Sequence, residues 1–464
     1  MVLHVLLLLS IISMVFSMPY YVPLQGDIGG KRTLVLLDTL ISAHKYSSYF
    51  NSLKAEDHVL TMASSSDGDF KLKKFNEYMY DNIIMLAPNA DDFGKISFTD
   101  ILEFVSNGGN LIVGASEDIS DAQKAFLEGC GIKISSSSGS VIDHHEYIEP
   151  LDDDASHEVI KINSIALNDN KVITGTSIDS GIIYKGISVS IATPSNELAI
   201  KILQGNPSSF IDSNKNPGEP PLLVAAVQGR NNARVVVSGS LDMFSNKYLA
   251  DSSTDNDKFT TSLSKWTFGS AGVLRFSNVT HFKSDGTPPD VILHEKERPD
   301  LPQSLYPDPE ITRNSLVYRI KDEIVYSMIV EEYKDGMWMP YQANDMQMEF
   351  VMLDPYVRAN MQADESGKFS CKFIAPDDYG IFKFRVLYRR PGYSTIHAET
   401  KVSLRPFKHD EYERFISSAF PYYISAGTMI GAFIVFSIFF LLTEDKKKES
   451  GDSSSSNNNK VKDE

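Results

Sequence analysis

Apolar runs and helix-spaced apolar positions alternate along the first half of the chain and predict its elements. Residues 33–37 (Thr-Leu-Val-Leu-Leu) are an unbroken apolar run, the pattern of a strand buried on both faces. Residues 58–62 and 83–87 repeat that character, and Pro88 stops the second of them. Ala43, Tyr46, Phe50 and Leu53 recur at helical spacing between the first two. Ser97, with Asp100 three residues on, predicts a helix start. Phe98, Ile101, Leu102 and Val105 line one face of that helix, and Gly108 ends it. Residues 111–113 make a fourth strand, after which Ser120 and Gln123 open a helix carrying Ala122, Phe126 and Leu127. This order predicts an α/β domain, doubly wound around a largely parallel sheet. Residues 222–227 and 234–238, with polar residues 229–232 between them, predict an antiparallel hairpin at the sheet edge.

The pattern changes near residue 250. Residues 251–257 are polar and acidic, and Phe259, Leu263 and Trp266 predict one more helix. Residues 285–309 are rich in proline and charge and read as a linker or extended arm. Strand-like runs follow at 315–320, 324–331, 346–353, 368–373, 380–388 and 398–404, a β-sandwich signature. Phe382, Phe384, Val386 and Tyr388 alternate with Lys383, Arg385 and Leu387 and read as core.

Both ends of the chain are apolar and carry topological information. Residues 2–16 are too short a run for a membrane span, which needs about 20 residues. Val15 and Ser17 suit the −3 and −1 positions of a signal-peptide cleavage after Ser17; a buried N-terminal strand or helix is the alternative. Residues 420–442 hold no charge and span about 35 Å as a helix, enough to cross a bilayer. Tyr422 and Tyr423 sit at one edge and Lys446, Lys447 and Lys448 follow the other, so the tail is expected in the cytosol and residues 18–419 in the lumen. Gly427 and Gly431 form a G-x-x-x-G helix-packing pair. Lys460 and Lys462 stand fifth and third from the carboxyl end, the register of a dilysine signal that a vesicle coat reads to return proteins to the endoplasmic reticulum. The Gly, Asp, Ser and Asn residues of 450–459 supply a flexible stalk for it. Asn278-Val279-Thr280 is an N-glycosylation acceptor on the expected luminal side.

These readings divide the chain into a signal peptide (1–17), a luminal α/β domain (18–250) and a linker with one helix (251–310). A luminal β-sandwich domain (311–410), a transmembrane helix (420–442) and a cytosolic tail (443–464) complete it. Charge adds an exclusion. With 44 basic and 61 acidic side chains the net charge is −17, against bulk nucleic-acid binding. Two cysteines cannot build a disulfide framework.

Candidate chemistry is sparse. Gly29-Gly30-Lys31 precedes the first strand, whereas a phosphate loop lies between a strand and its helix. Asp38-Thr-Leu-Ile, after that strand, has no glycine for a dinucleotide turn. Gly114-Ala-Ser116-Glu-Asp118 resembles a nucleophile elbow but places Asp118 where the last glycine belongs. Asp143, His144 and His145 offer a base and its orienter, so a serine hydrolase at Ser116 is one alternative; helix capping by residues 116–120 is the simpler reading. Cys130, at a helix end between two glycines, reads as a buried structural thiol. Adjacent His144 and His145 on a strand would point to opposite faces, which disfavours a shared metal. Asp152, Asp153 and Asp154 lack EF-hand spacing and read as a solvated turn. No catalytic residue, metal or cofactor is expected of this chain itself.

Eight colinear segments carry a family resemblance: Arg32-Thr-Leu-Val-Leu-Leu-Asp38, Asn107-Gly-Gly-Asn-Leu111, Val141-Ile-Asp-His-His145, Gly336-Met-Trp338, Glu349-Phe-Val-Met-Leu-Asp-Pro-Tyr-Val-Arg358, Pro376-Asp-Asp-Tyr-Gly380, Tyr412-Glu-Arg-Phe-Ile416 and Pro421-Tyr-Tyr423. With the membrane topology, the chain from Arg32 to Leu442 resembles the 48 kDa subunits of dolichyl-diphosphooligosaccharide–protein glycosyltransferase, non-catalytic type I membrane subunits of the oligosaccharyltransferase complex. It departs from them in residues 135–140, the Pro-rich arm and a longer cytosolic tail. The resemblance implies a luminal domain of glutamine-amidotransferase-like fold lacking its nucleophile, then a β-rich domain. It implies as partners a multispanning catalytic subunit, ribophorin-like subunits and a small DAD-type subunit, in transfer of a preassembled glycan from dolichyl pyrophosphate to Asn in Asn-x-Ser/Thr. The competing reading is a stand-alone luminal cargo or ligand receptor.

Overall fold

Seven strands build the first sheet: β1 (Arg32–Leu37), β2 (Val59–Ser64), β3 (Asn82–Leu86), β4 (Asn110–Gly114), β5 (Ala199–Gln204), β6 (Leu222–Gln228) and β7 (Arg234–Ser238), in the order β5-β6-β7-β4-β3-β1-β2. The computed structural model describes residues 29–443 except 66–69, 76, 135–138, 149–155, 176–177, 212–219, 252, 294–313, 335 and 413. Ser17, Lys460, Lys462 and the three aspartates 152–154 thus lie outside the described residues.

The block β2-β1-β3-β4-β7 is parallel. Period-two alternation sends neighbouring side chains of each buried strand to opposite faces. Leu34, Ile83, Leu111 and Val235 pack on Ile101 and Phe104 of the helix Phe98–Ser106.

 That helix is α2, which follows α1 (Ser47–Ala55) and precedes α3 (Asp121–Gly129) and α4 (Asn256–Thr267). Phe126 and Leu127 of α3 bury against the same face as α2. On the other face, Val35, Ile84, Ile112 and Val236 meet Tyr49, Phe50 and Leu53 of α1 and Phe259, Leu263 and Trp266 of α4. Helices on both faces make the sheet doubly wound. The expected caps are present: Ser97 Oγ accepts from Asp100 N while Asp100 Oδ2 accepts from Ser97 N, and Ser120 Oγ accepts from Gln123 N.

The hairpin β6–β7 is antiparallel, but it does not form the edge. Strand β5 lies outside it, antiparallel to β6. Lys201 is exposed and the register slips between Lys201 and Leu203, so this strand does not read as a clean alternating run.

The second domain stacks two sheets. Its strands are β8 (Val273–Lys283), β9 (Asp290–Leu293), β10 (Asn314–Arg319), β11 (Glu323–Lys334), β12 (Met337–Pro340), β13 (Gln347–Val351), β14 (Pro355–Asn360), β15 (Gln362–Ala363), β16 (Lys368–Ile374), β17 (Gly380–Tyr388) and β18 (Ile396–Arg405). One sheet runs β8-β11-β16-β15, with β12 beside β11; the other runs β9-β10-β18-β17-β13-β14. Tyr326 of β11 stacks on Phe384 of β17 at 5.1 Å, and Phe373 of β16 packs on Phe350 of β13 at 5.3 Å. Those ring pairs fill the sandwich core, where Phe382, Phe384 and Val386 are fully buried.

Residues 251–310 differ from the expected linker. They hold α4, which belongs to the α/β core, and β8 and β9, which belong to the sandwich sheets. Strand β8 escaped sequence reading because a bulge between Ser277 and Thr280 breaks its alternation. The two domains together form one compact unit ending at Arg405.

Asp255, just ahead of α4, anchors the loop before the Ile182–Tyr184 strand. Its Oδ2 accepts from the amides of Asp179 and Ser180 at 2.9 and 2.8 Å, and Oδ1 pairs with Lys258 Nζ at 2.7 Å. Lys258 first, then the two amides, hold the carboxyl down to about 2. A depressed folded-state pKa stabilises fully above the unfolded value of about 4 and is lost as pH falls through the folded one. Asp255→Asn is therefore expected to lower stability at pH 7 by about 1–2 kcal/mol and to lessen the loss between about pH 4 and 2. Denaturant unfolding followed by tryptophan fluorescence at several pH values measures both.

The second unit, from Pro406, contains α5 (Phe420–Leu442). Among the described residues it is the one helix long and apolar enough to cross a membrane.

Candidate functional site

An open α/β sheet binds ligands outside the carboxyl ends of its strands, where neighbouring strands lead away in opposite directions. Here that point lies between β1 and β3. Asp38 follows β1 there, half-buried, and burial pushes its carboxyl up. Its backbone carbonyl accepts from Ser64 Oγ at 2.9 Å and Ser65 Oγ at 3.1 Å. These bonds fix the turn after β1.

The expected elbow residue, Ser116, is half-buried after β4, in a turn that precedes α3. Asp143 does not orient a histidine ring towards it. The Asp143 carboxylate is buried, with Oδ1 accepting from the amides of His145 and Glu146 and Oδ2 from the hydroxyls of Ser208 and Ser209. Burial alone would raise its pKa, but these four donors together hold it below the usual carboxylate value. His144 instead lies with its Nδ1 2.6 Å from Nδ1 of His157, whose ring stacks on Tyr147. The loop is a structural clasp: Asp143 ties residues 143–146 to residues 208–209. Among the described residues, no group of three or more His, Cys, Asp or Glu side chains has a geometry that could hold a metal.

Both cysteines are free and buried. Burial pushes each thiol up to about 12, so neither carries thiolate at neutral pH.

Sequence reasoning missed the polar seam between the domains. Residues 389–395, joining β17 to β18, insert against the α/β domain. Asn170 Nδ2 donates to Pro391 O at 2.7 Å, Trp266 Nε1 to Gly392 O at 2.8 Å and Gln228 Nε2 to Tyr393 O at 2.7 Å. Ser394 N donates to Gly272 O at 2.9 Å, and Thr395 N to Asn232 Oδ1 at 2.9 Å. Gly272 and Gly392 both have positive φ, and a Cβ on Gly272 would collide with the Gly392 carbonyl. Beneath the seam, buried Arg234 donates to the carbonyls of Trp266, Ala271 and Gly272 and lies 4.9 Å from the Trp266 ring. Its cation thereby meets the negative end of α4.

Two further expected positions are accessible. Asn278 is exposed in the β8 bulge, with φ of 49°. Gly427 and Gly431 lie four residues apart on α5, and a Cβ built on either meets nothing within 4 Å.

Comparison with known proteins supplies what the geometry leaves open. Residues 25–270 match the profile of the OST48 N-terminal domain, and residues 306–444 that of the OST48 middle domain. The dolichyl-diphosphooligosaccharide–protein glycosyltransferase 48 kDa subunit of Danio rerio is 35% identical over 440 residues, covering 90% of this chain and 93% of that protein. The subunit of the same name from Arabidopsis thaliana is 33% identical over 432 residues, covering 89% of this chain and 92% of that protein. Among solved structures, a putative ThuA-like protein from Bacteroides uniformis has a TM-score of 0.31 at 12% identity, covering 54% of this chain and 95% of its own. A glutamine amidotransferase from Thermotoga maritima has a TM-score of 0.29 at 11% identity, covering 51% of this chain and 97% of its own.

Proposed function

The chain belongs to the OST48 family, and from that premise we propose that it is a non-catalytic subunit of the oligosaccharyltransferase complex, required for the complex's assembly or activity in N-linked glycosylation. The observation that carries this reading is identity extending over both domains and into the membrane helix, rather than over one portable fold. The complex moves a preassembled glycan from dolichyl pyrophosphate to Asn in Asn-x-Ser/Thr, and its metal-dependent chemistry belongs to the multispanning catalytic subunit. Support for a non-catalytic role comes from protonated buried thiols and from an Asp143 carboxylate committed to the loop.

On this reading the partners are the catalytic subunit, ribophorin-like subunits and a small DAD-type subunit, with Gly427 and Gly431 offering α5 a close-packing face. The chain resides in the endoplasmic reticulum membrane as a single-pass type I protein, with the signal peptide removed after Ser17 and with Lys460 and Lys462 returning escaped copies through the vesicle coat. Replacing both lysines by alanine should let a tagged, unassembled chain leave that compartment, read by acquisition of Golgi-type glycan processing. In that topology Asn278 is the candidate N-glycosylation acceptor on the luminal side. Asn278→Gln should abolish a peptide-N-glycosidase-sensitive mobility shift at a modest cost in stability, because the side chain is exposed but its left-handed backbone, with φ of 49°, suits Asn better than Gln.

Depletion of the chain tests the function. The expected result is underglycosylated secretory proteins, restored by the full-length chain. Normal glycosylation with an intact complex after depletion would overturn the reading.

A further inference from the structure

A groove of about 1150 Å³ runs along the outer side of the domain seam. Phe98 and Leu102 of α2 and Ala122, Ala125 and Phe126 of α3 form its floor. Phe98 and Phe126 stack there at 5.4 Å, and the two alanines are exposed. The opposite rim brings Arg230, from the β6–β7 turn, together with Arg389 and Arg390 from the seam loop. Arg390 is held by Asp345. Arg230 and Arg389 are exposed and have no ion-pair partner among the described residues. Of the lining carboxylates, Glu128 pairs with Lys133 at 3.9 Å, and Glu197 is the other. A patch with two unpaired arginines beside an apolar floor stands out in a chain of net charge −17.

We propose that this groove seats an extended polypeptide segment of another subunit, bearing apolar side chains for the floor and carboxylates for Arg230 and Arg389. The proposal rests on membership of the complex. Three observations select a polypeptide. The volume exceeds the roughly 300–1,000 Å³ of most small-molecule sites. The groove continues a seam in which the α/β domain already binds an extended segment, residues 389–395. Its wall also carries a side-chain amide suited to peptide backbone: Asn196, which lines the groove, accepts from Leu198 N through Oδ1 at 3.1 Å, and its Nδ2 has no hydrogen-bond partner among the described residues. Charge matching across the rim sets partner choice more than raw affinity.

The test uses the full-length chain in the detergent-purified complex. The photo-crosslinker p-benzoylphenylalanine replaces Thr99, which lines the groove, or Ile165, which is 95% exposed and outside it. Irradiation at Thr99 should link the chain to one polypeptide of the complex, at a mapped segment containing Asp or Glu, with little adduct from Ile165. Arg230→Glu with Arg389→Glu should lower the adduct about fivefold, and reversing the mapped carboxylates to Arg should restore it. Ala125→Trp, which fills the floor without touching the charges, should lower it as well. No polypeptide adduct, an adduct to lipid or glycan, or an adduct unchanged by charge reversal would overturn the proposal. Failure to isolate any complex with the unaltered chain would instead overturn the functional reading.

Discussion

Trp266→Ala is expected to destabilise the luminal unit by about 3–5 kcal/mol, the range for truncating a large buried aromatic. Trp266 is 0% exposed, packs in the core on the α1 and α4 side of the sheet, and donates Nε1–H to the Gly392 carbonyl. Alanine removes the packing and leaves that carbonyl without its donor. Trp266→Phe separates the two effects: it keeps most of the volume, so its loss should fall to about 1–2 kcal/mol. The seam loop should loosen in both variants, since Gly392 is held through the indole. Tryptic cleavage after Arg389 in the native protein reads that loosening directly. Chemical unfolding reads the total, and equal losses for Ala and Phe would contradict the packing account.

Arg234→Ala should cost a similar amount, about 3–5 kcal/mol. The guanidinium is 2% exposed and donates to three carbonyls that have no carboxylate among them. It is tolerated because those carbonyls lie at and just beyond the C-terminal end of α4, where a cation is favoured. Removing it orphans buried acceptors. Arg234→Lys retains charge but reaches fewer of them, so most of the loss should persist. Because Trp266 supplies both one of those carbonyls and the ring beside the guanidinium, the double variant should be less destabilised than the sum of the singles. Strict additivity in a double-mutant cycle would show that the two side chains act independently.

The sheet core was legible because burial on both faces writes itself as continuous apolar runs. Residues 33–37 and 83–87 lie almost wholly within β1 and β3. Capping at Ser97 and Ser120 was legible because the signal is local. The outer strand β5 and the bulged β8 were not, since an exposed lysine or a register slip destroys the period that identifies a strand. Nor was the seam. Asn170 and Pro391 are 221 residues apart, and the acceptor there is a backbone carbonyl that any residue possesses. Arg234 opens β7 and is buried under the seam, where only backbone carbonyls far along the chain show its role. The chemistry was readable chiefly as motifs that failed. The structure gives a physical reason at Asp143, where serine hydroxyls and amides occupy the carboxylate.

Affinity isolation of the full-length chain in mild detergent, with mass spectrometry and a peptide-glycosylation assay on the eluate, tests the central claim most directly. The account predicts a multispanning glycosyltransferase subunit in near-equal amount to this chain, with transfer of the lipid-linked glycan to an Asn-x-Thr peptide. Recovery of a stable monomer, with neither that partner nor that activity in the eluate, would contradict it.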